Sequence, residues 1–220
     1  MSSTNEVRAP TILINYTSDV SMQAIGATTM ANNANSYISI IGNTDAMNEL
    51  SLLVTKIHAA REKYDEQDNM TIIAPLWDID EIPKDFDMLS YTEDTKWCYV
   101  EDASIDSINL VSAWEPPTGI FKRIAELITL KDKHAIIKVL YQDEGPNYYG
   151  SSIYYLSGKT IENEDWRNDI DEDDILCSAD EVDDIQEEYG EDACIVTYEE
   201  IETEQMSFIE DEIKEIMKRR

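Results

Sequence analysis

Glycine is scarce in this chain, at seven of 220 residues, which argues against a flexible linker protein or a β-helix array. Cysteine is scarce too. Cys98, Cys177 and Cys194 are widely spaced and form no CxxC pair, so neither a disulfide framework nor a thiolate metal site is expected. A reduced, cytoplasmic setting follows. No stretch approaches 18 consecutive apolar residues, so no membrane-spanning helix is expected. The first ten residues hold one arginine and no apolar run, unlike a secretory signal. Basic residues are few, 17 against 47 acidic ones, giving a net charge of -30 and a pI near 4.1. Direct binding of nucleic acid, or of an anionic membrane surface, is therefore not expected.

Catalytic patterns are missing as well. The chain has no GxSxG, P-loop or HExxH. His58 and His134 have no Cys or His at metal-ligand spacing. Carboxylate pairs are so abundant that none stands out as a general acid and base. No enzyme, cofactor or metal is expected on this reading.

What is present argues for a folded chain. Apolar residues make up 42%, with 12 tyrosines and four tryptophans, too many for wholesale disorder. Residues 11–16 (TILINY) form a β-prone run, followed by about twenty residues without a clear period. Residues 36–41 (SYISII) are a second β-prone run, ended by Gly42. Met47, Leu50, Leu53, Val54, Ile57 and Tyr64 then recur at helical spacing, with Asn43 or Thr44 as N-cap and an end near Asp68–Asn69. Residues 70–77 (MTIIAPLW) are β-prone, and Pro75 and Pro83 exclude a long helix or central strand. Residues 96–101 and 107–114 read as two strands joined by a short turn. Pro116 and Pro117 open a second helix with the stripe Ile120, Phe121, Ile124, Leu127 and Ile128. Residues 135–142 and 150–156 read as paired strands, followed by a tight Ser157–Gly158 turn.

The order over residues 36–158 is strand, helix, two strands, helix, two strands. Right-handed crossovers and one apolar stripe per helix place both helices on one face of an antiparallel sheet. The expected fold is an α+β, ferredoxin-like sandwich over residues 36–162, with an N-terminal extension (1–35) and an acidic α/β C-terminal extension (163–220). Three segments add to this: Thr95-Lys96-Trp97, Ser112-Ala113-Trp114-Glu115-Pro116-Pro117, and Tyr141-Gln142-Asp143-Glu144-Gly145. They resemble the GTKW, AWSPP and YYE(E)G segments of the YubB family, small proteins of plasmids and phages. Asp94, Glu115 and Gln142 depart from that pattern. The resemblance implies a ferredoxin-like domain and a mobile-element origin, but no chemistry and no catalytic residues.

The acid is concentrated. Residues 162–220 hold 24 of the 47 acidic residues and five of the 17 basic ones. Within them Asp169, Asp171, Glu172, Asp173, Asp174, Asp180, Glu181, Asp183, Asp184, Glu187 and Glu188 form the candidate partner-binding set. The run at 169–180 lacks the glycine and the closing glutamate of a calcium loop, so a solvated acidic run is the better reading. Residues 182–189 suggest a short helix ended by Gly190, and residues 193–198 (ACIVTY) a strand. Ser207 and Glu210 make a capping-box pair in a helix over residues 203–218, whose stripe is Met206, Ile209, Ile213, Ile216 and Met217. The acid is thus expected on ordered elements. Carboxylates at i and i+4 lie about 5–6 Å apart, which approaches the phosphate spacing along a DNA strand.

The expected function is a phage-like accessory protein that binds a host protein with a basic, nucleic-acid-binding surface. It would inhibit or redirect that protein in the host cytoplasm, as a DNA mimic. A divalent-metal enzyme and a phage assembly component are the alternatives. The aromatics Trp97, Trp114, Tyr148, Tyr149, Tyr154 and Tyr155 are read as core, not as a base-stacking platform, because few Lys or Arg flank them.

Overall fold

The computed structural model describes residues 32–220 except 80–86, 88, 94, 146, 172–173 and 191–192. The expected strand at 11–16 lies outside the described residues. Among the described residues the chain is mixed α+β, with a six-stranded antiparallel sheet and six helices.

β1 (Asn33–Ile41) alternates buried Ala34, Ser36 and Ile38 with more exposed neighbours, as a strand with one core-facing side should. α1 (Thr44–Lys63) starts where the Asn43 side chain accepts the backbone N–H groups of Asp45 and Ala46, at 2.9 and 3.1 Å. Its buried stripe is Ala46, Leu50, Leu53, Val54, Ile57 and Ala60. It ends at Lys63, earlier than the spacing predicts. Asp68 is instead a start signal, because its carboxylate accepts the N–H of Met70 at 2.8 Å.

That start opens α2 (Met70–Trp77), where the sequence reads as strand. The correction has a physical basis. β2 (Cys98–Ala103) is an edge strand of the sheet. Asn69 Oδ1 accepts the N–H of Cys98 and Thr71 Oγ1 that of Val100, both at 3.1 Å. Side chains at the start of α2 thus satisfy backbone donors that an edge strand leaves open. Six of the eight α2 residues are buried, so its apolar residues follow no one-sided period.

A short α3 (Leu89–Thr92) precedes β2, and β3 (Ser107–Ala113) follows it. α4 (Thr118–Lys131) buries Ile120, Phe121, Ile124, Ala125 and Ile128; Pro117 stands at its N-cap position, outside the helix and without a side-chain capping bond. β4 (Ile136–Asp143), β5 (Tyr148–Ser157) and β6 (Thr160–Asp169) complete the sheet. Its order is β2-β3-β1-β4-β5-β6, and every neighbouring pair is antiparallel. Ile38 sits opposite both Ile108 and Val139. Gly158, at φ 63°, makes the β5–β6 turn. β6 is not recognisable from its sequence. It is an outer strand, and its charged TIENEDWRND run hardly alternates. It passes through residue 162, the expected limit of the sandwich, and carries the sheet into the acidic region.

Alternate residues of β4 and β5 serve opposite faces of the sheet. Ile137, Val139 and Tyr154 join the core with α1, α2 and α4. Ile136, Ile153 and Tyr155 pack instead against Ile209 and Ile216 of α6 (Tyr198–Arg219). Along the chain from β6 to α6, β7 (Ile175–Cys177) and β8 (Ile195–Thr197) form a parallel pair, linked by a 3-10 turn (Ala179–Glu181) and α5 (Val182–Tyr189).

α6 begins five residues before the expected helix. Thr197 Oγ1 accepts the N–H of Glu200 at 3.2 Å, and the Glu200 carboxylate accepts that of Thr197 at 2.9 Å. This capping box replaces the expected Ser207–Glu210 pair, which lies inside the helix. The buried stripe also differs from the expected one. It runs through Ile201, Gln205, Ile209 and Ile216, while Met217 is exposed. Thr197→Val is expected to cost about 1 kcal/mol and Ser207→Ala close to nothing, as read from urea denaturation midpoints.

Candidate functional site: the acidic C-terminal layer

The site is built on α6. Gln205, buried in its docked face, donates from Nε2 to the carbonyls of Tyr141 and Gly150, at 3.0 and 2.8 Å. Those two residues are partners in the β4–β5 register, so one side chain pins the helix to two strands. Tyr149 donates its hydroxyl to Glu204 at 2.7 Å. Burial, and then that bond, push the Tyr149 phenol up to about 12.

Charge is uneven along α6. In its C-terminal half Lys214 pairs with Asp211, Lys218 with Glu215, and Arg219 with Glu164 and Glu212. The first two turns carry Glu199, Glu200, Glu202 and Glu204 with no basic residue between them. Acid belongs there, because the helix N-terminus favours negative charge.

The 3-10 turn that leads into α5 meets this end. The N–H of Ala179 donates to the Glu199 carboxylate at 3.1 Å. Glu181 accepts from the Ser178 hydroxyl and N–H, at 2.6 and 3.0 Å. Those bonds, the hydroxyl first, lower its carboxyl pKa. Gly190, at φ 99°, closes the helix. Asp183, Asp184, Glu187 and Glu188 are exposed on α5. Asp183 with Glu187, and Asp184 with Glu188, stand at i and i+4, a spacing that sets Cβ atoms about 5–6 Å apart. Among the described residues, no ion pair involves these four or Asp180. α5 buries none of its own residues, so this repulsion is not offset by a core of its own.

The other candidates do not join this group. Asp169 ends β6 and pairs with Arg167 Nε at 2.9 Å. Asp174 accepts the N–H of Asp171 at 3.0 Å in the following loop. Glu172 and Asp173 lie outside the described residues. Glu199, Glu202 and Glu204 belong to the layer but not to the sequence-derived set. The signal for them is the T-x-x-E spacing of Thr197 and Glu200, which starts α6 early enough to carry them.

Among the described residues, no three His, Cys, Asp or Glu side chains could together hold a metal ion. His58 and His134 are exposed. Cys98 and Cys177 are buried, Cys194 is exposed, and burial pushes the Cys98 thiol far up. The tyrosines of β5 are buried but face both ways, Tyr148 and Tyr154 toward one core and Tyr149 and Tyr155 toward others. They do not form one stacking platform. No described helix is long and apolar enough to cross a membrane. Compared with family models, curated proteins and solved structures, the chain matches none.

Proposed function

We propose that this protein binds a host protein through the carboxylates of α5 and the first turns of α6, and inhibits or redirects it by occupying a basic nucleic-acid groove. One observation carries the reading: like charges at i and i+4 sit on α5, a helix without buried residues, and four more carboxylates with no basic residue between them stand on the first turns of α6. The like-charge pairs at i and i+4 on α5 oppose folding, and a basic partner surface offsets that cost. The target class is a nucleic-acid-processing or defence protein in the host cytoplasm. No bond is made or broken.

The fold part of the proposal is a ferredoxin-like sandwich of β1, α1, β2, β3, α4 and β4, extended by β5 and β6. Support comes from the order β2-β3-β1-β4 with α1 and α4 in one core. The YubB-like segments at Trp97, Trp114–Pro117 and Tyr141 point the same way, and to a mobile-element origin.

Changing Asp180, Asp183, Asp184, Glu187 and Glu188 to Asn or Gln is expected to slow association with the captured partner about tenfold or more. Added salt should slow the native protein in the same way, because the Debye length is about 10 Å at 0.1 M. Neutralising Glu62, Asp65, Glu66, Glu101 and Asp102, exposed carboxylates outside the layer, should matter much less. Stopped-flow association with a partner pulled from host lysate measures both. Rates insensitive to salt and equal for the two variants would overturn the proposal.

A further inference from the structure

Between the start of α4 and the β5–β6 hairpin lies a cleft of about 350 Å³, at the small end of ligand pockets. Four of the five charged groups that line it stand in two ion pairs, and the Asp165 carboxylate is the fifth. Lys122 Nζ lies 3.8 Å from the Glu93 carboxylate, and Arg167 Nη1 2.8 Å from that of Glu115. An anionic ligand has to displace a carboxylate from one of these cations. A neutral, hydrogen-bonding ligand does not.

Donors and acceptors are left over after this pairing. Arg167 also donates from Nε to Asp169 at 2.9 Å, and its guanidinium lies 3.8 Å from the Tyr148 ring centroid. Among the described residues nothing takes its Nη2 hydrogens. Asp165 accepts through Oδ1 from the hydroxyls of Tyr141, at 3.1 Å, and Ser152. Its Oδ2 has no partner among the described residues, and neither has the Asn163 amide. The cleft thus offers donors and acceptors side by side, as the hydroxyls of a sugar require.

Asp165 and Arg167 are held in place before any ligand arrives. Tyr141 reaches β6 across Gly150, where a Cβ would lie 2.5 Å from its ring and 2.4 Å from the Trp166 carbonyl. Trp114, which precedes Glu115, has φ 66° with its ring half-exposed. Its N–H donates to the Asn32 carbonyl at 2.8 Å, and its own carbonyl accepts the Tyr148 hydroxyl. A bulky residue in the left-handed region is strained, and such strain collects at binding sites. Preorganised groups lower the ordering cost of binding.

We propose that this cleft binds a neutral monosaccharide unit through Asn163, Asp165 and Arg167. The reading is independent of the acidic layer, and either stands if the other fails. NMR titration of the full ¹⁵N-labelled chain tests it, separately with D-glucose, D-galactose, D-ribose, N-acetyl-D-glucosamine, glycine and sodium acetate. At least one sugar is expected to give saturable shifts at the Asn163 amide and Arg167 Nε. Asn163→Ala, an exposed and conservative change, is expected to weaken that binding about tenfold, and Arg167→Met further. The proposal is overturned if no sugar shifts these signals. It is overturned equally if glycine or acetate shifts them more than any sugar, or if Asn163→Ala binds unchanged.

Discussion

Phe121→Ala is expected to cost about 3–5 kcal/mol of stability, the range for emptying a large buried aromatic site. Phe121 is fully buried. It projects from α4 into the core shared with α1, α2 and the sheet, and its ring meets that of Tyr154 at 6.0 Å and 65°. That edge-on contact adds to the area buried. Interiors close only partly around a deleted ring. Leu130 on the same helix is 79% exposed, so Leu130→Ala should cost close to nothing. Urea denaturation of both variants gives the comparison, with the midpoint falling for Phe121→Ala at nearly constant slope. Equal costs would mean that α4 does not face the sheet as described.

Ile209→Asp is expected to release α6 and abolish partner binding, although it adds a negative charge. Ile209 is 2% exposed and packs with Ile216 against Ile136, Ile153 and Tyr155. The change loses about 2–5 kcal/mol of apolar packing and puts a carboxylate among the apolar side chains of that cluster. Undocking relieves the second cost, so the helix should leave the sheet before the main core unfolds. Hydrogen exchange should then show amides 198–219 exchanging fast while α1 and α4 stay protected. This variant separates two kinds of acidic protein. A plain polyanion would bind a basic partner as well or better after the change. A surface that depends on fixed carboxylate geometry would lose it.

The two amphipathic helices were legible because each buries one stripe. Leu50, Leu53, Ile57, Phe121, Ile124 and Ile128 fall at 3.6-residue spacing, and all six are buried. The Asn43 cap and the Gly158 turn were legible because their demands are local. Residues 70–77 were not. Ile, Thr and Trp favour strands in isolation, and the helix is decided by Asn69 and Thr71 reaching a strand edge formed about 29 residues later. β6 was hidden because an outer strand with charges on both sides lacks the alternation that marks a half-buried one.

For the acidic layer the division is similar. By itself the sequence determined that residues 162–220 are acidic, that they contain helix-forming stripes, and that α5 stops at Gly190. Those properties depend on composition and near neighbours. Only the tertiary structure decided which carboxylates stand together. Gln205, Ile209 and Ile216 fix α6 against carbonyls and side chains of β4 and β5 more than fifty residues away, and Glu199 ties the 3-10 turn before α5 to the start of α6 across twenty. Contacts at such separations leave no period in the chain, because each depends on where the sheet has already placed its partner.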